Sequence, residues 1–528
     1  MNDQKRRTRG NGGLVAICIA VSGLIAGLKR IPLTNRIGDD GNAFWGIAYD
    51  TYLLFFLICG YSVQTVAASM ISSRRARGQY RNARRVWLIL LILAAGGGLI
   101  AGLLMFFLSG WISGGLFKTL PAQTAIQFMA PGLLFSSLLG LYRGYFQGMG
   151  SDVPTALSRF VEELAGLFFM LHMASRLGDY GKQVGALLRD PGYEQAFGAA
   201  GGLLGGVIGE AIAVVFLFIL FVMLQVSFRR KEKRDAGKGT ESYGRITGIA
   251  VNASFPVMLT GLTVHGCFIL DQILYLVLMP KAAGNVTNWG IYTGKYRILS
   301  SLPVALVTAV CSALVPSLSA AHSARNMGRT RERAYLLIRT SLILSLPLAI
   351  YFATMADALL PALFSVGDMK VAASLLRRGS IAIVLQCVAV ALSCILQAMD
   401  KKRNLLFNAV GALILHAVLL YFLLSVGGQG ILGVVNGVIV LYAACLIFHL
   451  LSLRRLISLR AGWGRMLGTP AICAGVSGLV LFFMAMLLKG KIADNILSVL
   501  GFVVGGGLYF VLILALHGIT ERDLKAIP

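Results

Sequence analysis

The sequence predicts an all-α protein that crosses a membrane about fourteen times. Three observations carry that expectation. Apolar residues make up 57% of the 528-residue chain and charged residues 13%, against about 25% charged in an ordinary soluble domain. The apolar residues gather into fourteen stretches, most of them about 20 residues or longer, the length that covers a bilayer core. Lys and Arg crowd into alternate gaps between the stretches, the asymmetry of the positive-inside rule.

The first stretch, 12–34, follows the basic segment MNDQKRRTRG. It resembles a secretory signal but ends in Gly27-Leu28-Lys29-Arg30 with no small-x-small cleavage site, so it reads as a retained first helix. Pro32 prevents a regular helix through its end. Stretch 43–72 leads into the Arg-rich gap Ser73–Arg85. Stretches 86–109 and 124–148 follow, then 154–175, which opens at Pro154, acceptable in the first turn of a helix. Stretch 198–228 runs into Arg229–Arg245, RRKEKRDAGKGTESYGR, the one linker-like segment. Stretches 247–279 and 289–320 form a hairpin whose turn centres near 284–285. The remaining stretches are 335–355, 372–398, 404–425, 430–451, 467–488 and 493–516.

With the N-terminus inside, Lys and Arg favour the inner gaps by better than two to one. A multi-pass protein of the bacterial cytoplasmic membrane with both termini cytoplasmic is expected. The linker suggests an N-terminal lobe (1–228, six spans), a cytoplasmic basic linker (229–246), a C-terminal lobe (247–455, six spans), and an appendage of two spans with a cytoplasmic tail (456–528). A weak repeat relates the lobes in parallel. Gln147-Gly148-Met149 matches Gln397-Ala398-Met399, and Gly78 aligns with Gly328 at the same offset.

The net charge of +26 does not point to nucleic acid, because the cations sit in short loops beside spans; they face anionic lipid instead. The eight cysteines all lie in apolar stretches without metal-ligand spacing and read as small buried hydrophobes. His172, His265 and His416 stand singly and read as packed residues. There is no phosphate-binding loop of the ATPase type and no hydrolytic motif. Neither enzyme activity, a cofactor nor a metal is expected.

An ionisable group in mid-membrane costs roughly 2.5–3.5 kcal/mol on insertion scales, so each is a functional candidate. Arg30 and Arg36 lie in GLKRIPLTNRIG, on a side where positive charge is disfavoured. They either snorkel to headgroups with Lys29 or receive an anionic ligand head such as a pyrophosphate. Asp271 and Arg297 lie at similar distances from the 284–285 turn. They form a structural ion pair, or Arg297 faces a cavity while Asp271 tunes it or holds a coupling ion. Lys295 adds a second cation nearby. Arg159 is spaced for a local link to Glu162 and Glu163. Asp50, Glu210 and Arg339 complete the set, the acids as coupling or structural charges.

Several stretches resemble a known family. RIPLTNRIGDDGNA (Arg30–Ala43) followed by YDTY (Tyr49–Tyr52) is similar to the first-span signature of the polysaccharide-biosynthesis and stage V sporulation protein B branch of the MOP exporter superfamily. So is RGYFQGMGSDVPTALSRFVEE (Arg143–Glu163). GKYRILSSLP (Gly294–Pro303), continuing to LVPSLS (Leu314–Ser319), resembles the eighth span of MurJ-type lipid II flippases. The resemblance implies a MATE-like fold of two six-helix lobes around a cavity, with a helix pair that forms a groove for a lipid tail. It also implies alternating access, a lipid-linked saccharide as substrate, and Arg30, Arg36 and Arg297 as the arginines that hold the pyrophosphate. Arg159 and Glu163 stand where the family usually has Gln, and stretch 43–72 has no Arg where lipid II flippases of the other branch carry one.

The expected function is therefore a flippase for an undecaprenyl-pyrophosphate-linked saccharide, foremost lipid II. Cell-wall, cell-shape or sporulation roles would follow, with a proton, sodium or the membrane potential as drive and a monomer as the working unit. Alternatives are an exporter of another lipid-linked unit and a multidrug or cation antiporter, whose cavity should be acidic. A glycosyltransferase would want acidic residues on a large outer loop; the longest, Arg176–Phe197, carries charges that cancel. A scaffold of the cell-wall machinery is a further class.

Overall fold

The computed structural model describes residue 15 and residues 17–233, 235, 239–279, 284–457 and 464–518. The basic segment 1–14, part of the 229–246 linker and the end of the expected cytoplasmic tail lie outside the described residues. Among the described residues the chain is helical nearly throughout and forms no strand. The helices are α1 (17–28), α2 (Arg30–Cys59), α3 (Tyr61–Ala76), α4 (Tyr80–Gly110), α5 (Ala122–Met129), α6 (Gly132–Gly148), α7 (Val153–Leu188), α8 (Gly192–Lys233) and α9 (Tyr243–Leu278). They continue as α10 (Asn285–Ile291), α11 (Arg297–Ser323), α12 (Met327–Leu363), α13 (Met369–Ala398), α14 (Lys402–Ser425), α15 (Gly430–Leu456), α16 (Thr469–Leu488) and α17 (Asp494–Ala515).

Among the described residues, eleven segments are long and apolar enough to cross a membrane. The first of them, Ile17–Ala76, has 60 residues and is broken at Gly38, whose φ of 70° leaves the helix; it holds the first two expected spans. The 36-residue helices α7 and α9 complete the order of fourteen, α7 being the less apolar of the two. The chain is a multi-pass membrane protein.

Pro32 sits within the first turn of α2, and the helix breaks three residues earlier, at Lys29. That is where a proline would lose its hydrogen bond and crowd the preceding turn. The expected loop Arg176–Phe197 is mostly helix, since α7 runs to Leu188 and α8 starts at Gly192. Its charges mark helix that outruns the apolar core rather than an open loop. Small residues make the α7–α8 hairpin possible: a Cβ on Gly201 would strike the Met173 carbonyl, on Gly205 the Met170 backbone, and on Gly209 the Glu162 carbonyl. Backbones that touch this closely pack by van der Waals contact, the usual association of helices in lipid.

The repeat is visible in the helix ends. After α6, Gly150 (φ 83°) closes the helix with Gly150 N–H to Gln147 O (2.8 Å) and Ser151 N–H to Phe146 O (3.0 Å). After α13, Asp400 (φ 56°) does the same through Gln397 O (3.0 Å) and Lys401 N–H to Leu396 O (2.9 Å). Both are left-handed C-terminal caps. The α3 cap at Gly78 (φ 71°) is matched by Arg325 (φ 55°), not by Gly328, which lies inside α12. The offset is three residues shorter there than at Met149 and Met399.

By contact the chain forms two compact units: residues 40–280, and residues 1–39 with 281–528. The boundary does not follow the basic linker. In the 40–280 unit, Val66, Met70, Val86, Leu90, Leu139, Phe146, Leu217 and Phe221 share one core, with Trp87 stacked on Phe221 at 4.7 Å. The end of the linker is strapped to the gap between α3 and α4. Arg74 pairs with Glu241 at 2.5 Å, Arg85 donates to the Glu241 carbonyl at 2.7 Å, and Glu241 N–H donates to Asn82 Oδ1 at 3.0 Å. In the other unit, α16 and α17 pack on α12. Tyr509 O–H donates to Ile343 O at 3.1 Å and Tyr351 O–H to Ser498 O at 3.0 Å. Arg339 is 7% exposed and donates to the Gly518 carbonyl just past the end of α17, which accounts for its charge structurally.

Candidate functional site

Arg30, Arg36, Lys295 and Arg297, the four cations expected around an anionic ligand head, fall in the unit of residues 1–39 and 281–528. Helices α1 and α11 meet there in antiparallel register. A Cβ on Gly23 would touch Ala305 Cβ at 3.2 Å, and one on Gly27 would press on Leu302 with Ser301 Oγ at 3.6 Å. Further along, Thr34 Oγ1 donates to the Gly294 carbonyl at 3.1 Å. Each pairing advances one chain by as many residues as it retraces the other. On that register Arg30 comes level with Arg297 and Ile298. Arg30 is 6% exposed; Arg297 is half-buried and Arg36 exposed.

The backbone around Arg297 is built for this. Tyr292–Tyr296 forms a π-helical turn between α10 and α11, a local change of hydrogen-bond spacing that recurs at functional sites. It advances the face of the helix just before Arg297. The rings of Trp289, Tyr292 and Tyr296 follow one another at 5.2 and 5.4 Å, and Tyr296 O–H donates to the Gly379 carbonyl at 3.3 Å, tying the turn to α13.

Lys295 lies inside this turn with no exposed side-chain surface, bonded to Asp39 Oδ1 at 2.5 Å. Gly367 closes over the pair. Its φ is 95°, and a Cβ there would collide with Asp39 Oδ2 and Lys295 Nζ. Asn35 holds the same connection, donating to Leu363 O at 2.9 Å and accepting from Ser365 N–H at 3.0 Å. Thr34, Asn35 and Asp39 thus explain the polar letters of RIPLTNRIGDD. They fasten the end of the first span to the π-helical turn and to the α12–α13 connection. Sequence reasoning read the arginines of this motif and passed over these three. The signal was present, as a run of short polar residues after Pro32.

The predicted acids fall in the other compact unit. Asp50, Asp271, Glu162, Glu163 and Glu210 belong to the 40–280 unit. Asp50 and Asp271 have no exposed surface, and the Gln272 amide, assigned the orientation that satisfies both its ends, donates to Asp50 Oδ2 (3.3 Å) and Gly46 O (3.2 Å). Tyr52 O–H donates to Glu210 at 3.2 Å. Glu162 is paired with Arg143 of α6 at 2.5 Å, and Arg143 also donates to Ser158 at 2.9 Å. The link expected within α7 from Arg159 to Glu162 is replaced by this interhelical one. Buried carboxylates with oxygen-bearing neighbours suit a proton or a small hard cation.

The family model described as "Polysaccharide biosynthesis protein" matches residues 10–322. Stage V sporulation protein B of Bacillus subtilis (strain 168) is 19% identical over 527 residues, 98% of this chain and 97% of that protein. The lipid II flippase MurJ of the same organism is 22% identical over 348 residues, 62% of this chain and 60% of that one. Among solved structures, an inward closed conformation of lipid II flippase MurJ superposes with a TM-score of 0.66 at 12% identity, covering 97% of this chain and 99% of that one. An inward-facing multidrug resistance MATE family transporter of the MOP superfamily gives 0.63 at 15% identity, covering 85% and 99%. The fold is the one these transporters share.

Proposed function

The chain belongs to the polysaccharide biosynthesis protein family, and we propose that it flips an undecaprenyl-pyrophosphate-linked saccharide across the bacterial cytoplasmic membrane by alternating access. It is a transporter and not an enzyme. The observation that carries the substrate class is the level shared by buried Arg30 and half-buried Arg297. Guanidinium groups bind phosphate oxygens in two-pronged fashion, through charge-assisted bonds about twice as strong as neutral ones. An organic cation would be repelled by the same groups, which speaks against a drug antiporter. Arg36 supplies an outer approach. Lys295, bonded to Asp39, positions Arg297 rather than presenting its own charge.

Lipid II is the leading substrate, from the likeness to MurJ in motif and fold. The full-length likeness to stage V sporulation protein B and the absence of Arg from 43–72 favour, as second reading, a different lipid-linked unit or a sporulation role. The lobes 1–228 and 247–455 move as halves in this account, with both termini inside and one chain as the working unit. Asp50 and Asp271 take the coupling ion. The test is complementation. In cells depleted of their lipid II flippase, this chain should restore growth and lipid II translocation. Failure at normal membrane abundance would move the substrate to another lipid-linked unit.

A further inference from the structure

A second site lies away from the basic cluster, in the cleft where α12 and α13 meet α16 and α17. We propose that it holds the headgroup of a zwitterionic phospholipid carrying a primary ammonium. The cleft encloses about 380 Å³, within the roughly 300–1,000 Å³ of small-molecule sites. It sits near the end of α12, the start of α13, the end of α16 and the start of α17. Those helix ends mark the edge of the apolar slab, where headgroups lie.

Its lining divides into two halves. The apolar half is Met355 and Leu497 as floor, each 1% exposed, with Phe482 and Met486 standing 55% and 70% exposed as a wall. A wall of that kind is satisfied by acyl chains. The polar half is Asp357, Arg377, Lys489 and Asp494, two charges of each sign. Asp357 divides its two oxygens between Arg377 Nη2 at 2.9 Å and Lys489 Nζ at 2.8 Å. This brings the two cations onto one carboxylate and leaves each with N–H groups to spare. The three side chains are 43%, 52% and 62% exposed, so a ligand can reach them. No ion pair among the described residues engages Asp494, which opens α17.

A phosphodiester bridging Arg377 and Lys489 uses those spare donors. An ammonium on the same headgroup then neutralises Asp494, and the site ends with every charge matched. A purely anionic headgroup leaves Asp494 facing it, and a quaternary ammonium cannot donate to Asp494 at all.

The test uses the purified full-length protein and native mass spectrometry with phosphatidylethanolamine, phosphatidylglycerol or phosphatidylcholine. Wild type should retain phosphatidylethanolamine most tightly. Arg377→Gln with Lys489→Gln should weaken phosphatidylethanolamine and phosphatidylglycerol alike by tenfold or more. Asp494→Asn should bring phosphatidylethanolamine down to the phosphatidylglycerol level and leave the latter unchanged. If the double variant cannot be recovered, Ala485→Trp, which fills the cleft, should shed the lipid equally. Arg297→Ala should not affect retention, so this site can fail or stand apart from the transport reading. The proposal is overturned if the double variant or Ala485→Trp binds as wild type does. It is equally overturned if Asp494→Asn keeps the preference, or if soluble phosphoethanolamine displaces the lipid at equal concentration.

Discussion

The charges of the two compact units are built by opposite means. In the unit of residues 1–39 and 281–528, cations collect at a place the backbone prepares. A π-helical turn, a left-handed glycine at position 367 and the side chains of Thr34 and Asn35 fix it, and one cation, Lys295, is spent on Asp39. In the 40–280 unit, carboxylates sit within regular helices beside neutral polar side chains, Gln272 at Asp50 and Tyr52 at Glu210. The first arrangement is rigid and suits a large anion that must be recognised by shape. The second is adjustable by one proton or one small cation, and suits coupling.

The largest expected effect comes from breaking the prepared site. Lys295→Met breaks the buried Lys295–Asp39 pair, a loss of about 3–5 kcal/mol. Membrane abundance and thermal stability in detergent should fall sharply. Asp39→Leu added to Lys295→Met should restore much of both. A single variant as stable as wild type would show that the pair does not organise the site.

Arg297→Ala should abolish transport while abundance stays near normal, because the guanidinium contributes to ligand binding more than to folding. Arg297→Lys should recover a part, since an ammonium lacks the planar fork. Transport assays run alongside quantitative blots distinguish the outcomes. Lost abundance that Asp271→Ala regains would make Arg297 a structural residue.

Neutralising the acidic set should separate binding from movement. Asp50→Asn should slow transport by tenfold or more and leave substrate affinity within about twofold. An equal loss in affinity would place Asp50 with the substrate and erase the contrast between the units. The smallest effect is expected at Arg36. It is exposed, so Arg36→Ala should weaken substrate binding by about 1 kcal/mol or less, and less than Arg30→Ala, whose side chain is buried. The reverse order in a binding titration would contradict the placement of Arg30.

Most of the fold was legible because a bilayer imposes length and polarity on every span. The described parts of the apolar stretches coincide with the helices to within a few residues, and Pro32 marks its break to within a turn. The α7–α8 extension was not legible, because a helix that leaves the membrane looks as polar as a loop. What betrays it is glycine spacing on facing helices, a pairwise property. The offset of the repeat held at Met149 and Met399 but slipped at Gly78, where the left-handed role passes to Arg325. In the site, intramembrane cations stood out by their cost in lipid. Asp39 did not, since a carboxylate between Gly38 and Asp40 reads as solvated until Lys295 is found against it.

The central claim is that Arg30 and Arg297 together receive a pyrophosphate. The most direct measurement is the affinity of purified protein for an undecaprenyl-pyrophosphate-linked sugar, in wild type, Arg30→Glu and Arg297→Glu, with folding confirmed for each. Each reversal should weaken binding by more than tenfold, or about 1.4 kcal/mol, and no form should extrude a cationic dye. Unchanged affinity in both variants, together with dye extrusion by the wild type, would contradict the claim and point to a cation antiporter.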